Sequence, residues 1–342
     1  MEILYPRYCG LDIHKKEVTA CVIISRKRET RNFSTMTNDL LKLRAWLDEL
    51  EVTHVAMEST GVFWKPIYNL LKDDLTLLLA NPQHIKALPG RKTDVKDAEW
   101  LADLLRHGLI KGSFVPCREQ REQRDLTLYR RSLIEERSRL IESIQQILEG
   151  ANIKLSSVAT DITGVSGKAM LEAMVSGIDD PSKLADLAKG NLRKKRSNLE
   201  EALNGLIGEH QKMMLKSQLR HLDFLDSEIT RLDDEIGKRL EPNAELMKRL
   251  DDIPGVNRRI AEEYMSEVGN VTERFPTAAH LASWIGLCPG NNESAGKRKS
   301  GKTRHGNRWL CSSLMQAARG ASKSKGNYLS AQYHRRHTKV WG

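Results

Sequence analysis

The sequence predicts an α/β domain followed by a largely helical remainder, and two observations support this prediction. Between residues 8 and 24, apolar and polar residues alternate with the two-residue period of a half-buried strand. From residue 126 onward, leucine and isoleucine recur at intervals of seven, or of three and four, as in amphipathic helices that pack in pairs. The period changes near Pro116, where we expect the first boundary.

The N-terminal elements follow one another in a characteristic order. Residues 8–24 predict a β-hairpin with a polar turn at 14–17. Five more elements are predicted in this order: a strand at 30–33, a helix at 38–50, a strand at 53–58, a helix from Gly61 to about 72, and a buried strand at 75–80. Three antiparallel strands, a helix and then alternating strands and helices are the order of a ribonuclease-H-like fold.

Four acidic residues are the strongest candidates for a catalytic site in this domain: Asp12, Glu58, Asp94 and Asp97. Asp12 lies in the first strand and Glu58 closes a later one. Asp94 and Asp97 are three residues apart at the start of a predicted helix, so they share one face of its first turn. Converging carboxylates repel one another unless cations neutralise them, and Mg²⁺ prefers oxygen ligands. Two such ions could clamp the attacking and leaving oxygens of a phosphodiester. The alternative is that each acid only caps a helix or forms a turn.

The middle of the chain predicts two long helices. Two series of apolar residues carry this prediction: Leu126, Leu133, Leu140 and Ile147 at intervals of seven, and Leu222, Leu225, Ile229, Leu232 and Ile236 at intervals of three and four. Both series predict coiled-coil seams. The two helices could pair with each other or with a second subunit, and the sequence leaves both open. A basic cluster at 193–196 is the candidate RNA contact of this region.

A mainly helical C-terminal domain is predicted to begin after Pro242. We expect three domains, at 1–114, 115–245 and 246–342. Pro254 and Gly255 lie between two helical segments, an arrangement similar to a helix-hairpin-helix, whose turn presents backbone N–H groups to phosphates. A Pro-Gly pair is also common in plain turns.

Ser294 is the candidate nucleophile of this last domain. It lies among small residues and cations, with Lys297, Arg298 and Lys302 nearby. Positive charge of this kind would stabilise a serine alkoxide and the charge that develops on a phosphate. We expect these three cations, together with Arg304 and Arg308, to contact nucleic acid. The alternative is an ordinary loop serine.

The positive charge of the chain is concentrated at its C-terminal end. The net charge is +10, yet the residues from Cys288 onward contain twelve Lys and Arg against one acid, which leaves −1 for the preceding 287 residues. Aromatic residues are interspersed among these charges, as base stacking would require: Trp309, Tyr328, Tyr333 and Trp341. We therefore expect a polyanionic partner, and the alternative is a solvated basic tail.

Cysteine and hydropathy patterns indicate a cytoplasmic protein. The five cysteines are odd in number and have no metal-ligand spacing, so they are expected to be reduced thiols. The apolar stretch at 75–80 is too short to span a bilayer, and we expect no membrane association.

Seven short motifs together resemble one family, the DEDD transposases of bacterial insertion sequences, which are recombinases guided by a bridge RNA. In chain order these motifs occupy residues 10–14 (Gly-Leu-Asp-Ile-His), 57–61 (Met-Glu-Ser-Thr-Gly), 92–98 (Lys-Thr-Asp-Val-Lys-Asp-Ala), 253–256 (Ile-Pro-Gly-Val), 286–290 (Gly-Leu-Cys-Pro-Gly), 292–296 (Asn-Glu-Ser-Ala-Gly) and 305–310 (His-Gly-Asn-Arg-Trp-Leu). The resemblance covers nearly the whole chain and is weakest in its centre.

The resemblance implies a fold, a cofactor and a set of partners. The N-terminal domain would be RuvC-like, and its four acids would bind Mg²⁺. Two ions would be bound, and Mn²⁺ could replace them. The C-terminal transposase domain would supply a serine that becomes joined to DNA, and Ser294 matches the family pattern better than Ser300. The family assembles as dimers of dimers with composite active sites, and its bridge RNA pairs with donor and target DNA.

Two rival functions use the same residues differently. A junction-resolving nuclease would share the four acids but cleave with water, and it would have no use for Ser294. A non-catalytic nucleic-acid scaffold would need the acids only for structure. A covalent protein–DNA adduct separates the recombinase from the nuclease, and Mg²⁺-dependent strand cleavage excludes the scaffold.

Overall fold

The protein folds into two compact units, Met1–Pro116 and Cys117–Gly342. The computed structural model describes residues 5–25, 27–59, 61–82, 85, 97–269, 275–288, 292–294, 297–300, 302–303 and 305–341. Among the helices of these residues, none is both long enough and apolar enough to cross a membrane.

A six-stranded mixed sheet forms the centre of the N-terminal unit. Its strands are β1 (Arg7–Ile13), β2 (Glu17–Ile24), β3 (Lys27–Ser34), β4 (His54–Glu58), β5 (Thr76–Ala80) and β6 (Gly112–Ser113). Their spatial order is β3-β2-β1-β4-β5-β6. The first three strands pair antiparallel, β1 pairs parallel with β4 and β4 with β5, and β6 returns antiparallel. The predicted hairpin, third strand and two later strands are therefore all present.

Helices cover both faces of this sheet. They are α1 (Thr37–Glu49), α2 (Trp64–Leu71) and α3 (Asp97–Arg106). Leu11 and Met57 belong to the face that packs against α1 and α2. Tyr8 and Ala56 belong to the opposite face, which packs against α3. This two-sided burial explains why β1 and β4 are apolar almost throughout, since each must match a helix on either side.

Strand β3 forms one edge of the sheet and differs from its neighbours in composition. Its first six residues, 27–32, are all exposed, and four of them are charged. Only the last two residues of the strand are partly buried, and Phe33 among them contacts Trp46 of α1 with ring centroids 5.7 Å apart. The strand is thus attached to the core at one end and charged along the rest of its length.

Two long helices run through the C-terminal unit, α4 (Arg118–Gly150) and α9 (Glu209–Leu240). They pack against each other through Leu133, Leu225 and Ile229. All five apolar residues of the second predicted series are buried. Helix α9 ends directly before Glu241 and Pro242, because proline cannot continue the backbone hydrogen bonds.

The seven-residue series of α4 is buried less completely than its spacing predicts. Leu133 is buried, but Ile147 is only partly so, and the buried positions of the last turns are Ile144 and Leu148. An α-helix of 3.6 residues per turn drifts from a seven-residue repeat by about 20° per heptad. The last turns also pack into a larger helical core instead of against α9 alone. A coiled coil in the strict sense stays a prediction.

Short helices between α4 and α9 build that larger core. They are α5 (Leu155–Val158), α6 (Val165–Val175), α7 (Pro181–Ala185), a 3₁₀-helix (Gly190–Lys195) and α8 (Arg196–Leu203). Met170, Leu171 and Leu199 are buried among residues of α4 and α9. The apolar pattern of the sequence is less regular here than in the long helices, because short helices show little periodicity.

The last part of the unit is mainly helical. Its elements are a 3₁₀-helix (Glu241–Asn243), α10 (Ala244–Asp251), α11 (Arg258–Val268), α12 (Ala278–Ile285), the two-stranded pair β7 (Asn292–Ser294) and β8 (Lys297–Ser300), α13 (Arg308–Lys323) and α14 (Tyr328–Trp341). Val268, Ile285 and Leu310 join α11, α12 and α13 in one small core.

The turn between α10 and α11 contains Pro254 and Gly255. Gly255 has a φ of +86°, and a side chain there would overlap the backbone of Ala317 in α13. A glycine is therefore required both by the conformation of this turn and by the close approach of α13. Two helices joined by such a turn agree with the predicted order of elements, whereas a helix-hairpin-helix function stays a prediction. The division of the chain into three domains also stays a prediction.

Candidate active site

Asp12 and Glu58 lie at the carboxyl ends of two adjacent parallel strands. The register of β1 and β4 pairs Leu11 with Met57, so the next position on each strand brings Asp12 beside Glu58. Side chains at paired positions of neighbouring strands point to the same face of a sheet. The strand order therefore gathers two acids that are 46 positions apart in the sequence.

The contacts of Gly10 show which face of the sheet carries these acids. A side chain at Gly10 would overlap the backbone of Ala98 and would lie 2.5 Å from the amide nitrogen of Ala102. Helix α3 thus packs directly on the backbone of β1. Since side chains alternate along a strand, Asp12 points to the same side as Gly10. Glu58 follows the buried Ala56 by two residues and shares that side.

Helix α3 brings the third acid to this edge. Ala98, in its first turn, lies over Gly10. Burial raises the pKa of Tyr8 at the other end of β1, and the charges of Arg106 and Asp103, further along α3, act on the same hydroxyl. The helix therefore runs antiparallel to β1, and its first residue, Asp97, lies at the end of β1 that carries Asp12. Asp94 lies outside the described residues.

Asp12, Glu58 and Asp97 therefore share one face and one edge of the sheet, and we call them the carboxylate edge. All three are partly buried, with Asp12 23% exposed in its side chain. Oxygen donors at such an edge have the chemistry that a hard divalent cation prefers. Among the described residues, however, no three His, Cys, Asp or Glu side chains are close enough to hold a metal. A metal site at this edge would thus need Asp94 or a rearrangement of the acids.

His14 is a neighbour of this edge to which the sequence alone assigns no role. Its Nε2 lies 3.2 Å from Oδ2 of Asp12, and its ring is 72% exposed. The signal was present in the sequence, because His14 ends the first family motif at residues 10–14. Its position next to Asp12 makes His14 a further candidate residue of this edge.

The two cysteines of the central sheet are poor nucleophiles. Cys9 and Cys21 are buried in the sheet, and burial raises the pKa of both, that of Cys9 well above its ordinary value. A thiol with a raised pKa carries little thiolate near neutral pH and is a poor nucleophile. Both cysteines are free, in agreement with the prediction of reduced thiols.

Ser294 lies in the two-stranded pair of the C-terminal unit. It is the last residue of β7 and pairs with Lys297, the first residue of β8. Two residues separate the strands, so Ser294 borders the tip of this pair. Ser300 pairs with Asn292 at the opposite end. The two candidate serines therefore differ in position, one next to the tip and one at the base.

The residues predicted to contact nucleic acid lie within this pair of strands or shortly after it along the chain. Lys297 and Arg298 are the first residues of β8, paired with Ser294 and Glu293. Lys302 is exposed and Arg304 lies outside the described residues. Arg308 begins α13, is exposed, and holds its guanidinium carbon 4.3 Å from the centre of the Trp309 ring.

Three of the four aromatic residues of the basic tail have described side chains, and these fall into two groups; the side chain of Trp341 lies outside the description. Tyr328 and Tyr333 are exposed, at 70% and 49%. Trp309 instead lies partly buried between the guanidinium groups of Arg308 and Arg131, the latter 5.2 Å from the ring centre. Trp309 is thus engaged within the fold, and the tyrosines are better placed to stack on bases.

The basic cluster at 193–196 is also engaged within the fold. Arg193 donates to the carbonyl oxygen of Ala188 at 3.0 Å, and Lys195 to that of Val158 at 3.2 Å. Arg196 pairs with Asp186 and Glu200. These bonds tie the 3₁₀-helix to its surroundings, so the charges of this cluster are only partly available to RNA.

Comparisons with known proteins give two family matches, one in each half of the chain. A family model described as a transposase, of the IS110 DEDD type, matches residues 9–153. A second model, described as the transposase of the IS116/IS110/IS902 family, matches residues 247–334. The first match contains the carboxylate edge and Asp94, and the second contains Ser294. Most of the helical region between the two catalytic candidates lies outside both matches.

Curated relatives carry names of the same kind. A probable family 20 transposase of Pseudomonas aeruginosa is 22% identical over 85% of this chain and 78% of its own length. The uncharacterized 44.8 kDa protein of insertion element IS116 from Streptomyces clavuligerus is 28% identical over 63% of this chain and 60% of its own length. The pilin gene-inverting protein of Moraxella bovis is 24% identical over 84% of this chain and 73% of its own length.

These matches, together with an α/β domain that carries acids at one sheet edge, define the class of protein. The chain is an enzyme that transposes or recombines DNA. Within that class it belongs to the IS110-type DEDD transposases of insertion sequences, and the resemblance found in the sequence is confirmed. The α/β domain fits a ribonuclease-H-like fold followed by a helical C-terminal part.

Proposed function

We propose that this transposase is an RNA-guided recombinase that joins itself to DNA through Ser294. Asp12, Glu58, Asp94 and Asp97 would bind Mg²⁺, as a two-metal site in which Mn²⁺ can replace it. Donor and target DNA would be its substrates, and a bridge RNA from the same element would select them. We expect it to act in the bacterial cytoplasm as a homodimer that assembles further into a tetramer.

The carboxylate edge is the observation that carries this proposal. Three of the four acids lie at this one edge although they come from two strands and a helix that are far apart in sequence. Partly buried carboxylates on one edge are costly through mutual repulsion, and a structural role would not require them to converge. When bound, Mg²⁺ would neutralise these acids and the charge that develops on a phosphate.

The position of Ser294 supports its role as the nucleophile. Its Oγ would attack the phosphorus of a DNA phosphodiester and lose its proton, while the bond from phosphorus to the displaced deoxyribose oxygen breaks and that oxygen gains a proton. The serine–phosphate ester keeps the energy of the broken bond. A hydroxyl of another strand can then attack the ester, release Ser294 and reseal the DNA without ATP. In the register of the two strands, Lys297 is the residue that pairs with Ser294, so a basic residue neighbours the proposed nucleophile in the backbone pairing.

The charge of the C-terminal end supports nucleic-acid partners. Lys302 and Arg308 are exposed near the strand pair, and Tyr328 and Tyr333 are exposed beyond it. A surface of this kind binds phosphates and unpaired bases without reading a sequence. Base pairing by a guide RNA would then supply the sequence choice, as in other RNA-guided systems.

Denaturing electrophoresis tests the covalent step. Labelled donor and target DNA, Mg²⁺ and the RNA of the element are mixed with the protein, and a protein–DNA adduct is detected as a retarded band. Ser294→Ala should eliminate the adduct and recombination while DNA and RNA binding persist. Ser300→Ala is the matched control and should retain the adduct, since Ser300 lies at the base of the strand pair.

Two outcomes would overturn the assignment. An adduct that persists in Ser294→Ala and disappears in Ser300→Ala would move the nucleophile to Ser300. Strand cleavage without any adduct would favour the junction-resolving nuclease that uses water.

A further inference from the structure

The segment that carries Ser294 is fastened at both of its ends to the same point of the C-terminal unit. It begins after Gly286, the left-handed C-terminal cap of α12 with a φ of +89°, and it ends before Gly306. A side chain at Gly306 would overlap the backbone of Ile285 and Gly286. The amide of Asn307 also donates to the carbonyl oxygen of Trp284 at 3.3 Å. The two ends of the segment therefore meet backbone to backbone.

Asn307 holds this meeting point to the helices beneath it. Its Oδ1 accepts a hydrogen bond from the amide of Leu310 at 3.0 Å and so caps α13. Its Nδ2 donates to Oε2 of Glu267 at 2.6 Å. One side chain therefore joins the exit of the Ser294 segment, the start of α13 and the end of α11.

Glu267 extends this connection to the long helix α4. Its side chain is 5% exposed, and its Oε1 accepts a hydrogen bond from Nε of Arg124 at 2.7 Å. A buried carboxylate is tolerated only when its oxygens are paired, and here one oxygen serves Arg124 and the other Asn307. The bond to Asn307 is thus charge-assisted, which makes it stronger and shorter than one between neutral groups.

We propose that Asn307 is a positioning residue for the nucleophile: through Glu267 and Arg124 it fixes the base of the Ser294 segment against α4. This inference rests on the proposed role of Ser294, but the fastening itself can be measured without any reaction. Asn307 belongs to the motif at residues 305–310, in which the sequence alone assigns it no role. A nucleophile needs this kind of support, because a displacement of about 1 Å can reduce a rate about a hundredfold.

Asn307→Asp separates the fastening from the helix cap. Aspartate caps a helix as well as asparagine does. It cannot donate to Glu267, however, and it sets a second carboxylate against it. Glu267→Gln should also disturb the contact, because its amide group would face that of Asn307. The double variant Asn307→Asp/Glu267→Gln exchanges donor and acceptor. The Nε2 of the introduced glutamine can donate to the introduced carboxylate, while its Oε1 still accepts from Arg124.

Hydrogen exchange of the free full-length protein is the first measurement. In Asn307→Asp, the amides of β7 and β8 should exchange about tenfold faster or more, because the loss of a charge-assisted bond favours local opening. The amides of α13 should stay protected, because the cap remains. Asn257→Asp is the matched control: Asn257 caps α11 in the same way, by accepting from Ile260 at 3.0 Å, and its substitution should leave β7 and β8 unchanged.

The rate of adduct formation on saturating labelled donor DNA, with Mg²⁺ and the RNA of the element, is the second measurement. Asn307→Asp should lower this rate about a hundredfold without weakening DNA binding, and the double variant should regain most of the loss. A merely structural role would not be rescued by exchanging donor and acceptor.

The outcomes distinguish this inference from the proposed nucleophile. Unchanged exchange in β7 and β8 of Asn307→Asp would overturn the fastening. Faster exchange with an unchanged adduct rate would overturn the positioning role. If Ser294→Ala keeps the adduct, the nucleophile assignment fails, while the exchange result still decides whether Asn307 fastens the segment. A double variant as slow as Asn307→Asp would also contradict the proposed contact.

Discussion

Two sets of carboxylates, one in each unit, differ in their burial and in their partners. In the N-terminal unit, Asp12 and Glu58 lie partly exposed at the ends of two strands, and within the described part of the chain neither pairs with a lysine or arginine. In the C-terminal unit, Glu262 and Glu267 are 3% and 5% exposed in their side chains and are bonded to arginines. The buried, paired acids thus join helices, whereas Asp12 and Glu58 have no such partner among the described residues.

Glu262 belongs to a network around the buried Arg130. This guanidinium, 1% exposed, lies 2.5 Å from Glu262 and 2.7 Å from Asp233. Arg258 and Arg259 approach the same two acids from α11, at 2.9 Å each. The network connects α4, α9 and α11, so its role is to fix the angle between the long helices and the last part of the unit.

The largest expected effect concerns the carboxylate edge. Asp12→Asn should lower DNA strand cleavage about a thousandfold or more, because a lost metal ligand removes several kcal/mol of transition-state stabilisation. The melting temperature without metal should stay the same or rise, since one repelling charge is gone. Cleavage assays and thermal unfolding measure the two effects.

Asp73→Asn is the control for that experiment, because Asp73 is 79% exposed and contacts Lys72 at 3.7 Å. It should change neither quantity. Full recombination activity of Asp12→Asn would contradict the assignment of Asp12 as a metal ligand.

The second effect should be on stability and not on chemistry. Arg130→Met removes the buried partner of Glu262, leaves it only the exposed Arg258, and should lower the free energy of unfolding by about 3 kcal/mol. Arg249→Met removes an arginine that is 73% exposed and pairs with Glu245, and it should change stability by about 0.5 kcal/mol or less. Urea unfolding of both variants gives the comparison. Equal losses of unfolding free energy in the two variants would mean that the buried network contributes no more to stability than a surface ion pair does.

The smallest expected effect concerns the basic tail. Arg335→Gln/Arg336→Gln removes two exposed charges of α14 and should reduce the salt dependence of nucleic-acid binding by up to about two counterions. Lys42→Gln/Arg44→Gln removes two charges from α1 and serves as the control. Binding titrations at several salt concentrations measure the slopes. An unchanged slope in the tail variant would place the contacts elsewhere.

Most elements of the N-terminal unit could be predicted from the sequence, because their residue patterns are local. The alternation through residues 8–24 and the amphipathic pattern of α1 each require only a few neighbouring residues. The convergence of Asp12 and Glu58 is different, since it depends on β4 pairing beside β1. The order of elements, interpreted as a ribonuclease-H-like fold, predicted this gathering of acids, whereas spacing along the chain alone would not have done so.

The buried charges of the C-terminal unit could not be predicted in this way. Arg130, Glu262 and Glu267 lie in highly charged segments, where a solvated surface is the ordinary interpretation. Their burial depends on the packing of α4, α9 and α11, which is set by contacts between residues more than 100 positions apart. For the same reason the sequence identified Asn307 as part of a motif but could not predict its hydrogen bond to Glu267.

The edges of the N-terminal sheet have a consequence for how copies of the chain associate. β3 presents charged, exposed side chains along most of one edge, and β6, which ends the other, has only two residues. Charged or very short edge strands disfavour the addition of a strand from another molecule. A second copy therefore gains little by extending this sheet, and an oligomer has to use helical or loop surfaces. Association can then be altered by surface substitutions in helices without touching the strands that hold Asp12 and Glu58.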